Sequence, residues 1–241
     1  MRVIAIVPAR YSSSRFPGKP LADICGHPMI WWVYSRVKKA RGISEVYVAT
    51  DDERIKQACE EFGMNVIMTS ASNKTSTERA FEAAGKIRAD LYIVVNGDEP
   101  LIDPEVISSI IPDEVPPKLY VGNLMTKIDR PSEAVDFTNI KVVTDKDNNA
   151  VFFSRSPIPY PKASLDYDYY KHVGVLIYDY EALKFFAEAP AGKNERVEDI
   201  NELRFIDNGI KIKMTIVNAH SLSVDTPKDL EYVRRKIKGC S

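Results

Sequence analysis

Arg2-Val3-Ile4-Ala5-Ile6-Val7-Pro8-Ala9-Arg10-Tyr11-Ser12-Ser13-Ser14-Arg15-Phe16-Pro17-Gly18-Lys19-Pro20 is the stretch on which the reading of this chain turns. Residues 2–7 form an apolar run of strand length, rich in β-branched side chains, and a helical pattern begins near Pro28. The segment between is therefore a loop leaving the carboxyl end of a first strand. It interleaves two arginines and a lysine with three consecutive serines and closes on Pro17-Gly18. Small residues let backbone N–H groups approach a ligand, glycine permits the wrap, and arginine offers paired donors to phosphate oxygens. Two readings stand, a polyanion cradle and a solvated basic turn; the position after a first buried strand favours the cradle. Neither G-x-x-x-x-G-K-[ST] nor G-x-G-x-x-G is present, so it is neither a Walker loop nor a dinucleotide fingerprint.

Outward from this loop the chain alternates helix and strand. Residues 28–40 read as a helix with Met29, Trp32, Val33 and Val37 on its core face, and 45–50 as a strand running into Asp51-Asp52-Glu53. Asp51 and Asp52 are metal ligands or helix caps, and Asp52 suits the cap of a helix ending near Phe62. A third strand at 63–68 leads into a polar loop, and Thr75 to Glu78 matches a capping box opening a helix to about Arg88. The rhythm predicts an α/β fold with parallel strands, right-handed crossovers and a doubly wound sheet, in a single domain over residues 1–241.

Strand 90–95 ends in Asn96-Gly97-Asp98-Glu99-Pro100, which sets a carboxylate just past the strand's carboxyl edge, on the side of the cradle. Asp98 closes a turn or holds Mg²⁺, an ion that takes one or two carboxylates together with phosphate oxygens. Strands are expected at 119–126 and 140–143, the latter in a hairpin with 150–155, and at 171–178 and 210–217. Helices are expected at 180–188, over a continuous 195–208, and after Asp225-Thr226-Pro227.

A net charge of −1 leaves no global basic footprint for nucleic acid or an anionic membrane. The three cysteines are widely spaced, which argues against a disulfide framework and a zinc site and fits a reducing cytoplasm. There is no signal-peptide pattern and no apolar run of membrane-spanning length, so a cytoplasmic protein is expected.

The run PARYSSSRFPGKPL resembles the nucleotide-binding loop of the 3-deoxy-manno-octulosonate cytidylyltransferases, the CMP-Kdo synthetases, whose pattern is close to PARYxSxRxPGKPL. Further matches recur in order along nearly the whole chain. The resemblance implies a Rossmann-like three-layer nucleotidyltransferase fold with a mainly parallel central sheet. It also implies a small β-rich extension for dimerisation and acceptor binding at about 112–190, where residues 160–170 are rich in Tyr, Pro and Asp. The implied activity transfers CMP from CTP to a sugar acid such as Kdo, releasing pyrophosphate, for cell-surface polysaccharide synthesis by a homodimer.

By the same resemblance Arg10, Arg15, Lys19 and Asp98 are catalytic, and Ala9, Arg10, Ser14 and Lys19 hold the nucleotide with Thr69, Thr77, Arg79 and Asn96. Asn73, Thr75 and Ser76 depart from the family's T-x-x-x-H-x-S-G-T-E-R, and Asn96 stands for Gln in VQGDEP. Asp98 and Asp225, the latter in V-D-T-P-x-D-L, are the implied ligands of Mg²⁺. Arg155 of FSRxxIP, His172 of H-x-G-x-Y-x-Y, and Asn201 with Glu202 at the Glu-Gln pair of ExxEQLR are the implied acceptor-binding set, with Leu176 replacing the first Tyr. A carboxylate at Glu202 repels an anionic acceptor and pairs with an ammonium. The alternatives are an amino-substituted Kdo as acceptor and a nucleotide-binding relative without turnover. A sugar-1-phosphate nucleotidyltransferase would open with a Gly-rich loop, which this chain lacks.

Overall fold

The structure, a computed structural model, describes residues 1–12, 16–164, 166–219 and 223–237. Ser14 and Arg15 of the cradle lie outside the described residues. The first strand, β1 (Val3–Ala9), is followed by a short antiparallel pair, β2 (Asp23–Ile24) and β3 (His27–Pro28), and by α1 (Met29–Val37). Then come β4 (Glu45–Thr50), α2 (Glu53–Glu61), β5 (Val66–Met68), α3 (Ser76–Ala84), β6 (Leu91–Val95), α4 (Pro104–Ser108) and β7 (Val121–Lys127). The later elements are α5 (Pro131–Val135), β8 (Lys141–Thr144), β9 (Ala150–Ser154), β10 (Tyr170–Tyr178), α6 (Tyr180–Glu188), α7 (Lys193–Glu198), α8 (Leu203–Asp207), β11 (Ile212–Val217) and α9 (Pro227–Lys236).

Among the described residues the main sheet has nine strands, in the order β11-β7-β10-β6-β1-β4-β5, with β8 and β9 attached through β10. Strand β1 lies between β4 and β6, parallel to both, while β10 runs antiparallel between β6 and β7. Thus β7 and β10, both inside the expected 112–190 extension, are interior strands of the main sheet. The part of that region outside the main row of strands is the β8–β9 hairpin.

Because successive side chains of a strand point to opposite faces, the unbroken apolar run of β1 feeds two cores. Val3, Ala5 and Val7 pack with Ile30 and Val33 of α1 and Ile107 of α4. Ile4 and Ile6 pack with Ala80 and Ala83 of α3, Phe186 of α6 and Phe205 of α8. This is the three-layer α/β sandwich that the strand-helix rhythm predicts. The caps read from sequence are also present: the Asp52 side chain accepts from Arg54 N, and Thr75 and Thr226 each form a capping box.

Two expectations are corrected. Residues 195–208 are not one helix, because α7 ends at Glu198, Asp199 takes the left-handed conformation at φ 53°, and helix resumes at Leu203. The charge pattern is compatible with a continuous helix, but burial of Leu203, Arg204 and Phe205 against the sheet fixes α8 in its own position. Cys25 is disulfide-bonded, which its sequence spacing did not suggest, whereas Cys59 is free and buried, its thiol pushed up to about 12 by burial.

Candidate active site

At the carboxyl ends of β1 and β6 a cavity of about 440 Å³ opens between the loops that follow these strands. The loop after β1 folds back on itself: Gly18 N donates to Tyr11 O at 2.9 Å, and Gly18 sits at φ 72°, where glycine carries no steric penalty. The Arg54 guanidinium stacks over the Tyr11 ring, 3.3 Å from its centroid, and pins the loop from outside. Buried Pro20 seats the far end, so that Ala9, Arg10 and Lys19 line the cavity.

The loop after β6 presses against this one. A Cβ on Gly97 would stand 2.9 Å from Pro8 O, so glycine at this position is what lets the two loops meet. Asp98 then reaches the Lys19 ammonium at 2.8 Å, and the same ammonium lies 3.6 Å from Asp225, just ahead of α9. Two carboxylates remote in sequence thus converge on one cation. The buried Oδ1 of Asp98 has no hydrogen-bond partner among the described residues. An anionic pair with an orphaned oxygen, open to a cavity, fits a hard divalent cation bound by few protein ligands. The described residues contain no cluster of three or more acidic, His or Cys groups that would hold a metal alone.

The second wall is the loop that opens α3, where Asn73, Lys74, Thr75, Ser76, Thr77 and Arg79 line the cavity. Asn73 is turned toward Glu82, donating to its Oε2 at 2.7 Å. Arg79 is 3% exposed, pairs with Asp51 at 3.2 Å and donates to Thr69 Oγ1. Thr69 therefore lies behind Arg79, off the cavity wall, and Asp51 is the counter-ion of Arg79. Lys74 was not singled out from sequence, where it reads as one more polar residue of a loop. In the fold it and Arg10 line the cavity without a carboxylate partner among the described residues.

The third wall carries Ile140, His172, Leu176, Tyr178, Asp199, Ile200, Asn201 and Glu202. Here the break between α7 and α8 has its effect, turning residues 199–202 into the cavity. His172 Nδ1 faces Asn123 Oδ1 at 3.3 Å; burial lowers its pKa, with Glu202 opposing and Arg155 reinforcing that shift. Burial pushes the Tyr178 hydroxyl upward. Gly174 in β10 packs so closely that a Cβ would meet Asn96 Nδ2 at 2.5 Å, which keeps Asn96 aimed along the wall.

Arg155 stands apart from the other acceptor candidates. Its guanidinium donates to the carbonyls of Glu198, Phe137 and Asp199 at 2.7, 3.1 and 2.9 Å, and it does not line the cavity. The fully buried Lys141 donates to the carbonyl of Arg155 and to those of Asp136 and Asn139. Together they buttress the 199–202 turn. Of the residues singled out from sequence, the cavity wall thus gathers Ala9, Arg10, Lys19, Thr77, Arg79, Asn96, Asp98, His172, Asn201, Glu202 and Asp225.

A cytidylyltransferase family profile matches residues 4–212. A 3-deoxy-manno-octulosonate cytidylyltransferase of Geobacter sulfurreducens is 42% identical, over 99% of this chain and 100% of that protein. An 8-amino-3,8-dideoxy-manno-octulosonate cytidylyltransferase of Shewanella piezotolerans is also 42% identical, over 98% of this chain and 99% of that one. Among solved structures, a CMP:2-keto-3-deoxy-manno-octonic acid synthetase complexed with CTP superposes with a TM-score of 0.92 at 40% identity, covering 98% of each chain.

Proposed function

The chain belongs to the cytidylyltransferase family, and on that footing we propose that it transfers CMP from CTP to an eight-carbon 3-deoxy sugar acid of the Kdo class, releasing pyrophosphate. The observation that carries this reading is the convergence of Asp98 and Asp225 on Lys19 beneath a loop bearing Arg10.

The reaction is an in-line displacement: an acceptor hydroxyl oxygen forms a bond to the α-phosphorus while the bond from that phosphorus to the bridging oxygen breaks, and the hydroxyl proton is released. The chain's part is positioning and charge neutralisation. Arg10 and Lys19, with Lys74, take the phosphate oxygens, and the α3 loop with Thr77 and Arg79 faces the nucleoside. Asp98 and Asp225 would hold Mg²⁺, which neutralises developing phosphate charge when bound. His172, Asn201 and Glu202 face the acceptor. The product serves cell-surface glycan synthesis in the cytoplasm; consistent with a protein that does not span the membrane, no described helix is long and apolar enough to cross one. A homodimer is part of the proposal, supported by exposed Phe137 and Tyr160, at 68% and 84%, beside the β8–β9 hairpin.

The test is pyrophosphate release with Mg²⁺ and each of CTP, UTP, ATP and GTP, against Kdo, its 8-amino analogue, other acidic sugars and a sugar 1-phosphate. Turnover confined to CTP and this acceptor class is expected. Turnover with a sugar 1-phosphate, or with none of these acceptors, would overturn the proposal.

A further inference from the structure

Glu202 is 8% exposed, yet it lines the cavity and has no ion pair or hydrogen bond to its carboxylate among the described residues. A buried carboxylate is costly to hold unless it is paired, so the surroundings decide what it is for. Its titratable neighbours are His172 and Tyr178. His172 is half-buried and turned to Asn123, and desolvation disfavours its imidazolium, so it is not a cationic partner for Glu202. Tyr178 is a neutral phenol. Arg155, the nearby cation, is engaged by three backbone carbonyls, and Lys19 is engaged by Asp98 and Asp225. Leu176, Ile140 and Ile200 supply no donors, Asn201 offers only a neutral amide, and Asp199, the other carboxylate of this wall, lies 4.0 Å from Arg155. The fold therefore leaves the Glu202 carboxylate on the acceptor wall without a direct partner among the described residues, for the ligand to answer.

A sugar acid brings a carboxylate of its own, which Glu202 repels toward the basic side of the cavity. The group that then faces Glu202 must be a donor. A hydroxyl satisfies a lone pair and leaves the charge in place, whereas an ammonium satisfies both. We propose that Glu202 makes this site select a 3-deoxy-octulosonic acid bearing a primary amino group over the all-hydroxyl acid. The proposal rests on the acceptor class given above and names the member of that class.

The experiment uses the full chain with saturating Mg²⁺ and CTP, and compares kcat/KM for 8-amino-3,8-dideoxy-manno-octulosonate and 3-deoxy-manno-octulosonate. A preference of roughly tenfold or more for the amino acid is expected, the scale of one charge-assisted contact. Glu202→Gln, which keeps size and shape, should lose that margin, the kcat/KM ratio of the amino to the hydroxyl substrate falling toward one. Equal or better use of the hydroxyl acid by the unaltered protein overturns the proposal and leaves the acceptor class standing. An unchanged ratio in Glu202→Gln also overturns it. Absence of turnover with either acid, with CTP still bound, removes the acceptor class and the proposal together. Because the preference is first read on the unaltered protein, the proposal is decided even where the variant fails to fold.

Discussion

Lys19 was legible in the sequence as a basic residue beside Pro17-Gly18, and Asp98 and Asp225 as carboxylates of the same site, but their ion pairs with Lys19 were not, since the three residues lie in segments remote from one another in the chain. Replacing Asp98 by Asn removes half of the anionic pair while keeping its volume. Pyrophosphate release should fall by about 10²-fold or more, on the scale of losing one preorganised electrostatic contact, with CD spectra unchanged. His172 gives a pH prediction. Its folded-state pKa lies below the ordinary value of 6.5, chiefly because burial disfavours the imidazolium. In the window between the two values the unfolded chain binds a proton that the folded chain does not, so stability rises with pH there. The stability is fully present above about 6.5 and is lost as pH falls below it. Urea midpoints across this range should show that decline, and His172→Gln should flatten it.

Among the elements, the interruption between α7 and α8 matters most to the proposed acceptor wall, because it turns residues 199–202 into the cavity. Arg204 grips Glu195 with both arms of its guanidinium in a pair 6% and 8% exposed, and donates to Phe186 O. Breaking it with Arg204→Met would strand a buried carboxylate and cost about 3–5 kcal/mol, measured by chemical denaturation. Arg155 acts on the same turn from the other side. Arg155→Met should raise KM for the acceptor severalfold while leaving KM for CTP in place, because the turn it holds lies on the acceptor wall alone; equal effects on both substrates would contradict this role. Gly97→Ala forces a Cβ toward Pro8 O and should destabilise by about 1–3 kcal/mol. The helix starts were readable because caps are local chemistry. The break after Glu198 was not, because its cause is the packing of Leu203 and Phe205 on a sheet formed by remote strands.

For the whole molecule, ligand binding and stability are linked. Magnesium and CTP at a hundred times the dissociation constant should add about 2.7 kcal/mol and raise Tm by roughly 6 °C, readable by scanning fluorimetry. UTP at the same concentration should shift it less. The sequence by itself determined the layered α/β order, because β1 is apolar on both faces and each strand-helix alternation is a local pattern with a single hand of crossover. It also placed Arg10, Gly18 and Lys19 in one loop after β1, since they are near neighbours in the chain. Only the tertiary structure decided that Asp98 and Asp225 pair with Lys19, that Arg155 braces a turn instead of lining the cavity, that Lys74 lines the cavity, and that Glu202 lines it without a direct partner among the described residues. Each of these depends on distances between segments far apart in sequence, and such distances exist only once the sheet has brought the strand ends together.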